Sequence, residues 1–168
     1  MAHRSQQRLL GLWANGLRVG TWQVAANGED RLTYDPVWLV SSQGRPLSLS
    51  LPFTIDNAPL RGPQVRNYFD NLLPDNIAIR NRIVARYQTA SNQPFDLLKE
   101  IGKDSVGAIA LLPPSQPYIE NKLSYELLDE SRLEKILAAH HSDIPLGMIK
   151  EEDDFRISVA GAQEKTAL

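Results

Sequence analysis

Two Asn-Gly dipeptides constrain the N-terminal third of this chain more than any other feature. Asn15-Gly16 separates an apolar run at 6–13 from a second run at 17–25, and Asn27-Gly28 precedes a third segment at 32–34. Asn-Gly favours a tight hairpin, because both central residues of that turn adopt positive φ angles. The pattern therefore predicts a three-stranded antiparallel meander.

The next segments alternate between ordered and irregular patterns. Residues 38–40 follow Pro36 and either extend the meander or begin a short helix. Leu47-Ser48-Leu49-Ser50-Leu51 alternates strictly between apolar and polar residues, which predicts a half-buried strand bounded by prolines. Residues 53–63 are predicted to form a loop.

Helical spacing follows between residues 65 and 102. Apolar residues recur every three or four positions from Val65 to Leu73, which predicts a helix that Pro74 ends. We predict that Asp75 caps a second helix, which extends to Tyr87. A third, short helix is predicted over 95–101, with Gly102 as its C-cap.

The remaining segments are mixed. We predict a strand over 106–112, an exposed linker over 113–122, and a helix over 131–139 that starts near Ser124. Strands are predicted at 155–159 and from 164, with a turn at 160–162 between them. Strands precede helices, so an α+β fold is favoured over a parallel βαβ sheet. The predicted organisation is an N-terminal subdomain at 1–112, the linker, and a second unit that begins at 123.

Composition excludes several classes of protein. The chain has 168 residues, 42% of them hydrophobic and 23% charged, which is typical of a folded soluble protein. It lacks an apolar run long enough for a membrane span and an apolar segment behind the N-terminus, so we expect a cytoplasmic protein without membrane partners. Cysteine is absent, and the three histidines do not stand at metal-ligand spacing, so no metal site is predicted.

Charge is unevenly distributed although the net charge is only −2. Between Arg61 and Arg86 there are five arginines and two aspartates. This basic helical segment favours either an ordinary solvated surface or a face for an acidic partner or phosphates.

One turn near the C-terminus carries a weak signal for phosphate binding. Ser158-Val159-Ala160-Gly161-Ala162-Gln163-Glu164-Lys165 places small residues between two predicted strands. Small side chains let backbone N–H groups approach a phosphate closely, as in the glycine-rich loop of kinases. The segment has one glycine where the kinase pattern has three, so spacing alone favours an ordinary hairpin turn over a phosphate loop.

Several separate segments, in order, resemble the N-terminal part of the HipA-type serine/threonine kinase toxins of bacterial toxin–antitoxin systems. The last of the segments named in the next sentence contains the turn described above. The resemblance rests on Arg45–Pro52 (RPLSLSLP), Phe69–Asp75 (FDNLLPD), Gln93–Leu98 (QPFDLL), Gly102–Gly107 (GKDSVG), Ile144–Gly147 (IPLG) and Phe155–Lys165 (FRISVAGAQEK).

This resemblance implies a kinase-like lobe, whose first strands follow the N-terminal subdomain. It implies that the loop covers the phosphates of ATP, bound with Mg²⁺, and that Ser158 is an autophosphorylation site. Phosphate on Ser158 would add negative charge beside a loop meant for nucleotide phosphates, and so would inactivate the kinase. The implied nucleotide-binding residues are Ala160, Gly161, Ala162, Gln163, Glu164 and Lys165.

In the family, the catalytic lysine and aspartates follow this loop, so no catalytic residue is assigned within the chain and we expect it to be inactive alone. The resemblance implies that a HipB-like helix-turn-helix antitoxin binds the protein, and that the protein reaches operator DNA only through that antitoxin. It also implies that the substrate is glutamyl-tRNA synthetase. Two hypotheses follow: the chain is the N-terminal portion of such a kinase toxin, or it is a separately encoded, non-catalytic module that docks on and restrains a kinase core.

Overall fold

The fold is known from a computed structural model that describes residues 8–104, 109–118, 129–131 and 134. A five-stranded antiparallel sheet in the order β4-β3-β2-β1-β5 carries four helices, which confirms the α+β prediction. The strands are β1 (Arg8–Ala14), β2 (Leu17–Val24), β3 (Asp30–Tyr34), β4 (Leu60–Arg61) and β5 (Ala110–Leu112). The helices are α1 (Pro36–Val40), α2 (Pro63–Asp70), α3 (Ile77–Tyr87) and α4 (Pro94–Ile101), with single 3₁₀ turns at Ile55–Asn57 and Gly102–Asp104.

The predicted meander is confirmed, and its two turns differ. Asn15 and Gly16 both have positive φ angles, 49° and 78°, as the tight hairpin requires. The second connection is longer: the amide of Ala25 donates to the carbonyl of Glu29, and only Gly28 has a positive φ. The Asn27 side chain instead accepts a hydrogen bond from the Glu29 amide. After the meander the chain enters α1, which settles the choice left open at residues 38–40.

The strand predicted at Leu47–Leu51 is wrong, because this segment folds into a tight turn around one tyrosine. The Tyr34 hydroxyl accepts from the amide of Leu47 at 2.9 Å and donates to the carbonyl of Leu51 at 2.5 Å. Leu51 is fully buried, whereas Leu49 is fully exposed. The leucine–serine alternation therefore reflects a turn that directs successive side chains apart, and not the pleat of a strand.

The boundaries of the first two long helices also differ from the predicted ones. The helix α2 ends at Asp70, and Leu72 and Leu73 continue in tight turns whose amides donate to the carbonyls of Phe69 and Asp70. Asn76, and not Asp75, caps α3, because its side chain accepts from the Ala78 amide at 2.8 Å. Leu73 is nonetheless buried, so the apolar spacing indicated burial correctly beyond the helix itself.

The short helix α4 ends where the sequence predicts, but for a different reason. Gly102 is its C-cap, with a right-handed φ of −71°. A β-carbon at this position would lie 2.8 Å from the β-carbon of Leu111. Glycine therefore allows the end of α4 to approach β5 closely. The strand β5 itself covers only Ala110–Leu112 of the predicted 106–112, and residues 105–108 lie outside the described part.

The core lies between the helices and one face of the sheet. The Trp22 ring of β2 stacks on Phe69 of α2, with centroids 3.9 Å apart, and meets the edge of Phe95 of α4 at 5.1 Å. Side chains from every strand but β4 are buried there with residues of all four helices. Aromatic packing of this kind fixes the positions of α2 and α4 against the sheet.

Candidate functional site

The predicted phosphate loop lies outside the described residues. This holds for Ser158 and for all of Ala160–Lys165, as well as for the strands predicted around them. Of the helix predicted at 131–139, residues 131 and 134 are helical and the others lie outside the described part. Ile144–Gly147 and residues 105–107 of the segment Gly102–Gly107 also lie outside the described part. The structure therefore shows the surroundings of three family-like segments, Arg45–Pro52, Phe69–Asp75 and Gln93–Leu98, and nothing of the predicted nucleotide site.

The Arg45–Pro52 segment supplies the turn that Tyr34 holds. Trp38 of α1 donates through its ring nitrogen to the carbonyl of Arg45 at 3.0 Å, which joins the start of this segment to the helix. The Phe53 ring meets the Tyr34 ring edge-on at 4.8 Å. Burial raises the pKa of Tyr34, so its phenol stays protonated and able to donate at neutral pH.

The Phe69–Asp75 segment turns the chain from α2 into α3, and one arginine holds it. The guanidinium of Arg80, on α3, donates to the Asp70 carboxylate at 2.6 Å and to the Pro74 carbonyl at 2.6 Å. The side chain of Arg80 is only 13% exposed. Charge-assisted bonds from one planar group to two points fix the geometry of a connection more firmly than one bond does.

The Gln93–Leu98 segment begins α4 and is tied to distant parts of the chain. The Asp96 carboxylate accepts from Arg8 of β1 at 2.6 Å and from the Ser91 hydroxyl at 2.5 Å. The Arg8 guanidinium also lies 4.7 Å from the centre of the Phe95 ring. Arg66 of α2 donates to the side-chain oxygen of Gln93. The three family-like segments described here therefore position the helices, and none presents an open catalytic group.

The buried carboxylate of Asp30 was not predicted from the sequence. Asp30, at the start of β3, is only 6% exposed and accepts from the Trp22 ring nitrogen at 2.8 Å. This bond orients the indole that stacks on Phe69. The Asp30 backbone carbonyl accepts from Gly62, just before α2. The residue thus belongs to the scaffold, and its neighbour Glu29, rather than Asp30, pairs with Arg31.

The five arginines of the basic segment differ in their surroundings. Arg80 is nearly buried against Asp70, Arg66 is bound to Gln93, and Arg61 lies 3.8 Å from Glu29. Arg82 and Arg86 remain exposed, one helical turn apart on α3. Of the five arginines, only Arg80 is thus largely buried in a close ion pair, and the other four are exposed to solvent.

A second feature missed by the sequence reasoning lies on the face of the sheet away from the helices. The Trp13 ring of β1 stacks on the Tyr118 ring, with centroids 5.4 Å apart and planes 20° from parallel. A signal was present in β1 (RLLGLWA), which is apolar at both odd and even positions. A strand that is apolar on both faces is typical of a strand covered on both sides.

Two kinds of feature are absent from the described part of the chain. Within residues 8–104 and 109–118, no three histidine or carboxylate side chains come together as a metal ion would require. The helices in those same ranges are all too short and too polar to cross a bilayer.

The fold defines a small α+β domain in which a five-stranded antiparallel sheet carries its helices on one face. The family model for the HipA N-terminal domain matches residues 10–112, which include β1 from Leu10 on, β2 to β5 and α1 to α4. The chain belongs to this family, which confirms the resemblance in the sequence.

Two relatives extend this finding. A protein of Sinorhizobium fredii (strain NBRC 101917 / NGR234) described as "Putative kinase Y4mE" is 32% identical over 166 residues, which cover 96% of the chain and 38% of that relative. The solved HipA of Shewanella oneidensis MR-1, in complex with HipB and operator DNA, matches with a TM-score of 0.60 at 24% identity, over 86% of the chain and 31% of that structure. The second match supports the fold. The chain spans about a third of the length of both.

Proposed function

We propose that the chain is the N-terminal portion of a HipA-like serine/threonine kinase toxin of a type II toxin–antitoxin system. The observation that carries the proposal is the extent of the similarity to Y4mE. It covers 96% of the chain, far beyond the family domain at 10–112, and the relative is described as a kinase. The similarity therefore includes much of the chain after Tyr118, where the family-like loop stands.

In this proposal, the described part is a scaffold and the chemistry belongs to the segment from Ser158 to Lys165. Backbone N–H groups of Ala160–Lys165 bind the phosphates of ATP, which supplies the transferred phosphoryl group when bound with Mg²⁺. Ser158 accepts a phosphate, which competes with those of ATP and switches the kinase off. The support for these roles is the family membership, together with the order and chemistry of the segment.

The proposal also names partners. A HipB-like helix-turn-helix antitoxin binds the intact protein, which reaches operator DNA only through that antitoxin. The support is the Shewanella oneidensis HipA, whose solved complex contains HipB and operator DNA. A net charge of −2 gives the chain as a whole little electrostatic attraction for DNA. The proposed substrate is glutamyl-tRNA synthetase.

The test is phosphorylation by the product of the complete reading frame that contains this chain. The purified protein is incubated with labelled ATP and Mg²⁺, and the phosphate is located by mass spectrometry. We expect label on Ser158 that disappears in a Ser158→Ala variant and persists in a Ser131→Ala control. Glutamyl-tRNA synthetase from the same organism is added as acceptor. A folded protein that labels neither Ser158 nor the synthetase contradicts the proposal.

One structural observation keeps the separately encoded binding module as the second candidate. Residues 8–104 and 109–118 build a buried core of their own, in which Trp22, Phe69 and Phe95 join the sheet to two helices. Such a core would suit a module that docks on a kinase core supplied by another chain. The two candidates separate in a pull-down, because only the second predicts a stable complex between this chain and an independently expressed kinase core.

A further inference from the structure

The two Asn-Gly dipeptides of the meander are chemically alike but lie in different backbone structures. Asn15-Gly16 and Asn27-Gly28 are both exposed, and an alanine precedes each of them. Asparagine followed by glycine is prone to deamidation, because the backbone nitrogen of the glycine can attack the side-chain amide without steric hindrance. In a folded chain, the local backbone therefore decides whether these two groups can meet.

The turn at Asn15-Gly16 keeps the reacting groups apart. Both residues have positive φ angles in a two-residue hairpin loop, which defines a type I′ turn. In this left-handed conformation, the Gly16 nitrogen lies nearly opposite the Asn15 β-carbon about the Cα–C bond, whereas a cyclic imide needs them on the same side. The backbone rotation would break the pair of Ala14 with Leu17, which directly flanks the turn.

The loop at Asn27-Gly28 brings the same groups towards each other. The Asn27 side-chain oxygen accepts from the Glu29 amide at 3.1 Å, which folds the carboxamide back over the intervening Gly28 nitrogen. The same N–H group faces the oxygen on which negative charge develops during the attack. The Gly28 amide must release its bond to the Ala25 carbonyl, but this leaves the sheet intact, because the pairing of β2 with β3 begins outside the loop.

We propose that Asn27 is a site of spontaneous deamidation, whereas the fold protects Asn15. The Gly28 nitrogen loses its proton to base and bonds to the side-chain carbonyl carbon of Asn27. The carbon–nitrogen bond of the carboxamide breaks, and its nitrogen leaves as ammonia. Water then opens the cyclic imide, at the side-chain carbonyl to give aspartate or at the main-chain carbonyl to give isoaspartate. Water is consumed and ammonia is released, without oxidation or reduction.

The two products affect the loop differently. Aspartate keeps the oxygen that accepts from the Glu29 amide, whereas isoaspartate adds a carbon atom to the backbone just before two anchoring residues. These are Glu29, which accepts from Arg31 at 2.6 Å, and Asp30, which accepts from Trp22 at 2.8 Å. We expect the isoaspartyl form to exchange the amide hydrogens of residues 24–30 faster than the wild type, and an Asn27→Asp variant to exchange them at the wild-type rate.

Trypsin separates the two sites for measurement in the full chain. Peptide 9–18 contains Asn15, peptide 19–31 contains Asn27, and neither contains a second asparagine. The folded protein is kept in mildly alkaline buffer for weeks, and mass spectrometry follows the replacement of the amino group by a hydroxyl group in each peptide. We expect Asn27 to convert at least several-fold faster than Asn15. In guanidinium chloride, which removes both loops, the two rates should converge.

Hydroxylamine gives a second measurement, because it cleaves the backbone at the cyclic imide. We expect the folded chain to yield the fragments 1–27 and 28–168, and an Asn27→Gln variant to yield neither. Asn15 converting as fast as Asn27 in the folded chain would overturn the proposal. So would a folded chain in which neither asparagine converts while both convert in guanidinium chloride.

Discussion

A single phenolic oxygen determines the shape of the segment that follows α1. Tyr34 holds Leu47 and Leu51 on either side of a turn, and its carbonyl accepts from the Asn57 side chain at 2.8 Å. Leucine–serine alternation is typical of a strand, but none of the five strands in the described part of the chain pairs with this segment. The hydrogen bonds of its backbone go to Tyr34 and to the serines instead.

We predict that Tyr34→Phe destabilises the fold by about 1–3 kcal/mol, because a buried amide and a carbonyl lose their partner. Urea unfolding of the two proteins measures the difference. Tyr68→Phe is the matched control, since it deletes the same atom from the same side of the sheet. Equal stability of the wild type and Tyr34→Phe would show that the turn does not depend on this hydroxyl.

We also predict that the free energy of unfolding depends on pH in the alkaline range, because of a buried tyrosine. Burial, and to a smaller extent the nearby Tyr34, raises the pKa of Tyr68 to about 12. An unfolded tyrosine loses its proton near pH 10, so its contribution to stability is complete below about pH 10 and is lost as the pH rises towards 12. The free energy of unfolding should fall across this window, and less steeply in Tyr68→Phe. An identical slope in the variant would contradict the assignment.

At the scale of elements, the connection between α2 and α3 depends on Arg80. We predict that Arg80→Ala destabilises the fold by about 1–3 kcal/mol, because the Pro74 carbonyl and the Asp70 carboxylate lose a charged donor. Hydrogen exchange should accelerate at residues 71–76. Arg82→Ala, at an exposed position on the same helix, should change stability by less than about 0.5 kcal/mol. Equal effects of the two substitutions would show that the Arg80 contacts are unimportant.

Elements with a strong local signal could be predicted from the sequence. The meander follows from its two Asn-Gly turns, and the three longer helices follow from their apolar spacing. Features that depend on distant residues could not be predicted. The turn at 47–51 is set by Tyr34, and the Trp13–Tyr118 stack by the path of the chain after β5. The start of α3 is a local case: Asp75 and Asn76 are adjacent and both are suitable caps, so the sequence pattern did not decide between them.

Less of the candidate site than of the fold could be predicted from the sequence. No periodicity or spacing distinguishes the segment at Ser158–Lys165 from an ordinary hairpin turn, because a phosphate loop is defined by backbone N–H groups that point at a ligand. The resemblance rests on six segments taken together, and the three that the structure describes in full belong to the scaffold. Within the described residues, the carboxylates Asp30, Asp70 and Asp96 each hold a structural partner.

At the scale of the whole molecule, we predict that the 168-residue chain alone has no kinase activity and binds ATP weakly. One loop supplies few contacts, and the family's catalytic lysine and aspartates follow this loop. Calorimetry with ATP and Mg²⁺, and incubation with labelled ATP, check the two statements. Tight saturable binding, or label on Ser158 in a preparation free of other kinases, would contradict them.

Reading the coding DNA beyond the codon for Leu168 is the most direct test of whether this sequence is the N-terminal portion of a kinase toxin. We expect the frame to continue into a strand with a lysine, followed by the aspartate and asparagine residues that hold Mg²⁺. A stop codon without a kinase core in any neighbouring frame would show that the chain is not part of a kinase toxin. A stop codon followed by a separate frame for a kinase core would instead establish the binding module.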